Sequence, residues 1–361
     1  MNKKIEEAIS ELNDNVDELI KSQKNDAMPL SKNLNGDVYK KYDFGEYIRN
    51  GNDNFFKKSL TGKAETSGGY LIPPEITLQI NEKLKLLSPM RLISKIVTIS
   101  SNAIDFLVDS KTPDAGWASV EKDQRDETNT PELKKIKIPV HEIFAKPKVS
   151  QKLLDDAQID VEEWLITKVS EKIAALENSA FINGDGNDKP LGFLKEESEE
   201  KQEREFGKLQ HFISGAKGKF VDNNTAVDIL IDMSCSLKPI YVKNAKWIMS
   251  RSALGEIRKL RNKNGYLWQP SLSEASPATL LGYPIIIDDD MPALIDGNVS
   301  ISVAFGDFHS GYQIVDRQGL KILRDPYSSK PFVEFYTTKR IGGKVVDFEA
   351  IKLLKFEEKN Q

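Results

Sequence analysis

Two groups of neighbouring residues have the types that acid–base or nucleophilic chemistry requires. Asp288-Asp289-Asp290 offers carboxylates for a metal ion or for general acid–base catalysis. This run follows a predicted strand and precedes Met291-Pro292, so the pattern favours a solvated turn. Asp307, His309 and Ser310 have the residue types of a catalytic triad, but neighbours in one short loop cannot normally form the relay geometry. An acid–base hydrolase that uses Asp288, Asp290 and His309 stays open only as a minor alternative.

Sequence motifs for bound ions and phosphates are also weak. Asp185-Gly186-Asn187 with Glu196 at the twelfth position resembles a calcium loop, but Lys189 replaces an oxygen ligand and Pro190 replaces the required glycine. A turn that follows a helix explains these residues. The chain contains no G-x-x-x-x-G-K-[ST], G-x-S-x-G, H-E-x-x-H or C-x-x-C motif. We therefore predict no catalytic residues, no cofactor and no metal ligands, and we predict that the protein is not an enzyme.

Composition narrows the function classes further. The chain has 361 residues, a formal net charge of −4 and a pI of about 5.7, which argues against a protein that binds nucleic acid through its charge. The one cysteine, Cys235, excludes an internal disulfide framework and is typical of a reducing compartment. The charged start, Met1 to Glu7, lacks the apolar stretch of a signal peptide, and runs such as Ile285–Ile287 are too short to cross a bilayer. We expect a soluble, acidic protein made in the cytosol, with no membrane association.

The N-terminal residues predict a short amphipathic helix. Its apolar residues are spaced 4, 3, 4 and 3 positions apart, the heptad pattern of a coiled coil: Ile5, Ile9, Leu12, Val16 and Leu19. Fewer than three heptads form only a marginal helix alone, so this helix either frays or packs on a partner.

A polar linker follows from Ser22 to about Asp37, and an aromatic helix then ends at Asn50-Gly51. Thr66–Glu75 is predicted to be extended because its tandem prolines oppose both helix and strand pairing.

A β-ribbon is predicted next. Apolar residues alternate at 104, 106 and 108 and again at 136, 138 and 140, with a long polar stretch between the two sets. A lone two-stranded ribbon is marginal in water, so we expect it to pack on another subunit, with packing on its own body as the alternative. A locally basic set accompanies it: Lys134, Lys135, Lys137, Lys146 and Lys148. Their spacing favours an exposed strand face, and a weak phosphate contact is the alternative.

A long helix is predicted after the ribbon. Asp160 and Glu163 form a capping box, and the helix stops at Asn183-Gly184 after about 22 residues. Its predicted apolar face consists of Val161, Leu165, Val169, Ile173, Leu176 and Ala180. The charged tract from Lys195 to Glu205 is predicted to be a solvated loop. The remaining residues alternate helix and strand patterns, with Gly342-Gly343 predicted to turn the chain into a closing C-terminal sheet.

Several short stretches together resemble tailed-phage major capsid proteins of the HK97 fold, along nearly the whole chain. In order they are Phe44-Gly45-Glu46-Tyr47-Ile48-Arg49, Thr66-Ser67-Gly68-Gly69-Tyr70-Leu71-Ile72-Pro73, Phe181-Ile182-Asn183-Gly184-Asp185-Gly186, Lys189-Pro190-Leu191-Gly192, Gly265-Tyr266-Leu267-Trp268-Gln269-Pro270-Ser271-Leu272, Leu280-Leu281-Gly282-Tyr283-Pro284, Ala304-Phe305-Gly306-Asp307-Phe308 and Leu323-Arg324-Asp325-Pro326-Tyr327. Each stretch is weak alone, but their order and extent make the set highly specific.

The resemblance implies an α+β, HK97-like capsid fold. Its regions would be a delta or scaffolding segment with a coiled coil and linker at 1–62, an N-arm at 63–101, an E-loop β-ribbon at 102–146, a P-domain with a long spine helix at 147–215, an A-domain at 216–325, and C-terminal strands that complete the P-domain at 326–361.

The same resemblance implies a structural protein of a phage, prophage or gene transfer agent. It would self-assemble through hexamers and pentamers into an icosahedral shell that encloses double-stranded DNA without sequence-specific binding. A maturation protease and a portal protein are the other implied partners, and the virion, assembled in the bacterial cytoplasm, is the implied location. An encapsulin-like nanocompartment shell is the alternative.

Some family members link subunits covalently through an E-loop lysine and a P-domain asparagine. Arg125 and Phe335 fall at those two positions in this sequence, so we expect no cross-link.

Overall fold

The structure is a computed structural model that describes residues 47–51, 70–71, 74–109, 133–156, 161–200, 205–262, 265–266, 278–317 and 320–359. The chain divides into two compact units. One comprises Met1–Gly68 and Val149–Trp164, and the other comprises Gly69–Lys148 and Leu165–Gln361. In the first unit Tyr47, Ile48, Val149 and Leu154 are buried. The predicted heptad helix, the polar linker and the polar tip of the ribbon lie outside the described residues.

Helices and short strands alternate along the described chain. In chain order the elements are β1 (Tyr70–Leu71), α1 (Pro74–Leu87), α2 (Pro89–Ile93), β2 (Lys95–Ile99), β3 (Ala103–Asp109), β4 (Leu133–Pro139), β5 (His141–Ala145), β6 (Lys148–Ser150), α3 (Gln151–Asp156), α4 (Val161–Asn183), β7 (Ser198–Glu199), β8 (Leu209–Ile213), α5 (Asn223–Cys235), α6 (Pro239–Val242), β9 (Lys246–Met249), α7 (Arg251–Lys259), β10 (Arg261–Asn262), β11 (Gly265–Tyr266), β12 (Thr279–Leu280), β13 (Tyr283–Ile287), β14 (Ser300–Gly306), α8 (Phe308–Gly311), β15 (Tyr312–Arg317), β16 (Lys321–Asp325), β17 (Phe332–Val345) and β18 (Ile351–Phe356). A 3-10 turn spans Phe193–Lys195.

A first sheet, sheet I, is organised around the long strand β17. Its strand order is β1-β16-β17-β15-β2, and β5 also pairs with β17. β15 and β16 follow one another antiparallel along one edge of β17, and β5 pairs antiparallel with the opposite edge. The 14 residues of β17 make this possible, because one strand is long enough to pair with two shorter strands end to end.

A second sheet, sheet II, is mixed and has seven strands in the order β12-β13-β9-β14-β18-β8-β7. Both of its faces are buried. One face packs with α5 and α7 through Trp247, Phe305 and Leu354, and the other face contributes Ile248, Ala304 and Leu353 to a separate core cluster. A sheet that is covered on both faces favours continuous apolar runs, which explains Trp247-Ile248-Met249 and Val303-Ala304-Phe305.

The β-ribbon formed by β3 and β4 confirms the predicted pair of alternating strands. The two strands are antiparallel, with Ile104 opposite Ile138 and Phe106 opposite Ile136. Ile136 and Ile138 are buried in the same core cluster as residues of sheet I. The described part of the ribbon therefore packs on its own subunit. This is the alternative named above; the expectation was that the ribbon packs on a neighbouring subunit.

The long helix α4 confirms the predicted start and length, because it runs for 23 residues from Val161 to Asn183. Its buried face differs from the predicted one. Leu176, which was assigned to the apolar face, is 55% exposed, whereas Glu177 and Asn178 are buried. The apolar face was inferred from helical spacing, and spacing does not reveal the buried polar partners that Glu177 and Asn178 find on other elements.

The predicted turn at Gly342-Gly343 is wrong. Both glycines lie inside β17, and β18 pairs with β14 and β8 of sheet II instead of returning against β17. The glycines allow close packing: a Cβ at Gly342 would lie 2.4 Å from the carbonyl oxygen of Pro139, and one at Gly343 would lie 2.5 Å from the hydroxyl of Tyr312. The glycine pair therefore marks a close approach and not a change of direction.

Two other local predictions also need correction. The predicted extended arm ends early, because α1 begins at Pro74; proline is tolerated in the first helical turn, where its missing N–H has no helical partner. The charged tract from Lys195 onward is not only a solvated loop, because the 3-10 turn ends in it and Ser198–Glu199 pairs with β8.

Candidate functional site

Four buried charged side chains meet where α2, α4, β15 and β17 come together. Arg91 donates from Nε to Glu177 Oε2 at 2.5 Å and from both Nη atoms to the two oxygens of Asp316 at 2.8 Å. Lys339 Nζ lies 3.1 Å from Glu177 Oε1 and 3.4 Å from Asp316 Oδ1. All four residues are buried. We call Arg91, Glu177, Asp316 and Lys339 the charge quartet; two cations and two carboxylates make it neutral.

Ion pairing in the quartet shifts the pKa values of Asp316 and Arg91 in the directions that favour their charged forms. Burial by itself would raise the pKa of Asp316, but the Lys339 and Arg91 cations overcome it and hold that pKa below its usual range. Burial by itself would lower the pKa of the Arg91 guanidinium group. The Glu177 and Asp316 carboxylates outweigh burial and raise that pKa above its usual value. Arg91 and Asp316 therefore stay charged across the physiological pH range, and the ion pairs of the quartet join the four elements.

Asn178 organises a second buried polar group next to the quartet. Its Oδ1 accepts hydrogen bonds from the hydroxyl of Ser88 at 2.9 Å and from the backbone N–H of Met90 at 3.2 Å. Its Nδ2 lies 2.9 Å from both oxygens of Asp288 and 2.6 Å from Asp290 Oδ2. One amide thus joins the α1–α2 corner to the end of β13.

The location of Asp288 contradicts the predicted solvated turn. Asp288 is only 2% exposed, and burial raises the pKa of its carboxyl group, partly offset by the hydrogen bonds from Asn178 and from the backbone N–H of Asp290. Asp289 is exposed and lies 3.7 Å from Arg251. The run was taken for a turn because it follows a strand, but its first residue still points into the protein and serves as an acceptor for Asn178.

The other residues with catalytic types have structural roles. Asp307 caps α8: its Oδ1 accepts from the N–H groups of His309 and Ser310, and its Oδ2 accepts from the Ser310 hydroxyl. The His309 side chain is exposed. Asp185 accepts from the N–H of Asn187 at 3.1 Å, as expected for the predicted turn. Among the described residues, no group of three or more His, Cys, Asp or Glu side chains could hold a metal ion.

The basic strand is exposed, as predicted from its spacing. Lys134, Lys135 and Lys137 are exposed on β4, with Lys135 Nζ 2.7 Å from Asp105 and Lys134 Nζ 5.0 Å from the ring centroid of Phe206.

In the part of the chain that the structure describes, no helix is long and apolar enough to cross a membrane.

Large apolar side chains are exposed at several separate places on the described surface. Leu86 and Leu92 at the α1–α2 corner are 82% and 64% exposed, and Ile240 on α6 is 78% exposed. Others are Leu107, Leu133, Phe144, Leu176, Val221, Ile295, Val299, Tyr327 and Phe332.

Sequence reasoning missed the charge quartet and the Asn178 group completely. A signal was present on α4, because Glu177 follows the buried Ile173 by four residues and therefore lies on the same helical face. A charged residue on an otherwise apolar face either ends that face or has a buried partner, and the sequence alone does not identify Arg91 or Lys339 as that partner.

Comparison with known proteins gives a consistent answer. The model of the phage capsid family matches residues 68–356. The solved capsid of a native gene transfer agent (GTA) particle is 39% identical, covers 82% of this chain and 96% of that chain, and superposes with a TM-score of 0.67. The capsid of the empty GTA particle has the same identity and coverage with a TM-score of 0.66.

More distant relatives agree in fold. The curated major capsid protein of Klebsiella oxytoca phage phiKO2 is 22% identical over 249 residues, which are 68% of this chain; the match spans only 55% of that protein's length. A chain of Microbacterium phage Oxtober96 is 12% identical and covers 85% of this chain and 99% of its own length, with a TM-score of 0.53, which supports the fold alone. The predicted α+β, HK97-like capsid fold is confirmed. With a family model that matches most of its length, this chain belongs to the phage capsid family.

Proposed function

We propose that this chain is the major capsid protein of a phage, prophage or gene transfer agent and that it builds a closed icosahedral shell from hexamers and pentamers. The observation that carries the proposal is the 39% identity to the capsid of a native GTA particle over 96% of that chain. The role is structural, and the chain is not an enzyme. The packaged double-stranded DNA lies inside without sequence-specific contacts, and the net charge of −4 limits its nonspecific attraction to the shell.

The exposed apolar side chains support contacts between copies at several places. Shell subunits use many modest interfaces that symmetry repeats, so no single contact has to be strong. The α1–α2 corner, the outer face of the β-ribbon and α6 each present such side chains on a different part of the surface. We propose these three places as contacts with neighbouring subunits in the particle.

Strand pairing supports a revised division into subdomains. In our proposal sheet I and α4 form the P-domain, and sheet II with α5 and α7 forms the A-domain. β15 and β16 pair within sheet I, so they belong with the P-domain although they precede residue 326. β18 pairs within sheet II and belongs with the A-domain although it lies in the C-terminal region. The proposed E-loop is the ribbon of β3 and β4 with the residues between them, and the N-arm precedes it.

The delta segment at 1–62 is proposed to scaffold assembly and to be removed by a maturation protease, and a portal protein is proposed to occupy one vertex. Assembly takes place in the bacterial cytoplasm. Particles from DNA-filled preparations should then contain a subunit whose intact mass lacks the first several dozen residues. A full-length subunit mass in such particles would contradict removal.

Particle formation by the purified chain tests the proposed function. Negative-stain imaging and light scattering should show closed shells of megadalton mass. Changing Ile9, Leu12 and Val16 to Asp places charges in the heptad stripe and should reduce correct assembly while the folded body keeps its cooperative melt. The matched control changes Asn13 and Asn15, which lie off the stripe, to Asp. A wild-type chain that never exceeds a small oligomer under any assembly condition would exclude the capsid role.

Replacement of Thr112–Pro131 by Gly-Asn-Gly tests the proposed E-loop. The body should keep its circular dichroism, whereas assembly should stop at capsomers or monomers, because the removed residues would contact a neighbour. Normal shells from this variant would contradict the proposal.

Covalent linkage between subunits is tested separately. The position expected to hold the cross-linking asparagine is Phe335, which is fully buried in β17, so mature shells should dissolve into monomers in hot detergent. A ladder of covalent oligomers on a denaturing gel would contradict this expectation.

A further inference from the structure

Residues 191–199, which we call the strap, connect sheet I to sheet II. At one end the N–H of Leu191 donates to the carbonyl of Gly343 in β17 at 3.0 Å, and the Tyr312 hydroxyl donates to the carbonyl of Leu191 at 2.8 Å. At the other end the N–H of Leu209 donates to the carbonyl of Glu197 at 2.8 Å, and Ser198–Glu199 pairs in parallel with β8. The strap thus has one anchor in each sheet.

The middle of the strap is held by aromatic packing. Phe193 is fully buried, with its ring centroid 5.4 Å from that of Phe308 and 6.4 Å from that of Tyr312, both in edge-on geometry. Glu196 follows this anchor at the end of the 3-10 turn. The position of its carboxylate is therefore set by a neighbour that is fixed in the interior.

Glu196 is poorly solvated for a carboxylate. Its Oε1 is buried and has no hydrogen-bond partner among the described residues. A buried oxygen without a donor is far more costly when it is charged than when it belongs to a neutral carboxylic acid. Burial raises the pKa of Glu196 to about 7; the Lys344 ammonium opposes this shift and the Glu197 carboxylate adds to it.

The titratable groups around Glu196 come from each element that packs on the strap. They are Lys344 on β17, Tyr312 on β15 and Glu197 within the strap itself. His211 on β8 lies 3.1 Å from the Ser198 hydroxyl, and burial lowers the pKa of this histidine. Within the described part of the chain, none of these groups donates a hydrogen bond to the buried Oε1.

We propose that Glu196 is a proton-operated latch: when it is protonated the strap between the two sheets stays closed, and when it is ionised the strap loosens. The sign follows from linkage. The closed strap binds the proton more tightly than an open, solvated strap does, so rising pH through neutrality favours opening. An open strap also removes the two-residue strand β7 and leaves the edge of β8 free to pair with another strand.

Hydrogen–deuterium exchange of the full-length chain between pH 5.5 and 8.5, corrected for the intrinsic exchange rate, tests the latch. Peptides that cover 193–200 and 209–213 should lose protection by roughly tenfold or more as the pH rises through 7, which corresponds to one pKa unit or more of coupling. α5 should show no such change over the same range.

Three variants make the test specific. Glu196→Gln removes the titration and should keep the strap protected at every pH. Glu197→Gln, the matched control, keeps the Glu196 carboxyl group and the backbone carbonyl of residue 197, so the loss of protection should remain; because it removes a carboxylate that raises the pKa of Glu196, that loss should move to slightly lower pH. Lys344→Gln removes the cation that lowers the pKa of Glu196, so the loss of protection should move to higher pH.

A Glu196→Gln variant that keeps the wild-type pH dependence would overturn the proposal and would assign the effect to His211. Should that variant fail to fold, the wild type alone decides: equal loss of protection in α5 and in the strap would also overturn the proposal, because a latch acts locally.

Discussion

The charge quartet makes a strong prediction about stability. Glu177→Gln keeps the shape of the side chain but leaves Arg91 and Lys339 with only the Asp316 carboxylate, so one buried positive charge loses its compensation. Removing one partner of a buried ion pair typically costs about 3–5 kcal/mol. With about 2.1 cal/mol/K of unfolding entropy per residue, 361 residues give about 0.76 kcal/mol/K, so about 4 kcal/mol lowers Tm by about 5 °C.

Thermal and urea melts of wild type and variant, followed by circular dichroism, measure this effect. The matched control is Glu171→Gln on the same helix, whose exposed pair with Lys168 at 2.9 Å should contribute less than about 1 kcal/mol. Adding Lys339→Met to Glu177→Gln removes the surplus cation and should recover part of the lost stability. If Glu177→Gln melts within about 1 °C of the Glu171→Gln control, the quartet does not stabilise the fold as argued.

Three further predictions address other contacts. The pKa of Asp316 is depressed, so its contribution to stability should be intact above about pH 4 and should be lost as pH falls further, which an acid titration of the melting temperature measures. Asn178→Ala leaves buried carboxylates without their amide donor and should lower the free energy of unfolding by about 2–3 kcal/mol in urea; an unchanged midpoint would contradict this. Gly343→Ala would place a Cβ 2.5 Å from the Tyr312 hydroxyl and should cost about 1–3 kcal/mol, whereas Gly255→Ala, with nothing within 4 Å in α7, should be neutral or stabilising.

The sequence by itself determined the elements with strong local signals. Alternating apolar residues predict the strands of the ribbon and the strands near Trp247 and Ile301, and capping residues with a helical period predict the start and end of α4. These signals depend only on neighbours along the chain. The family was also accessible from sequence, because short stretches in a fixed order are specific even when each is weak. The heptad helix and the ribbon tip remain predictions.

Only the tertiary structure decided which polar residues are buried and how the strands pair. Glu177 and Asp288 look like surface residues in sequence, yet their partners Arg91 and Asn178 lie 86 and 110 positions away. Likewise, Gly342-Gly343 has the composition of a turn, but the close approach of Tyr312 and Pro139 explains it within a strand. A hydrogen bond or ion pair between distant residues leaves no periodic trace along the chain, so the fold must bring the partners together before their burial can be explained.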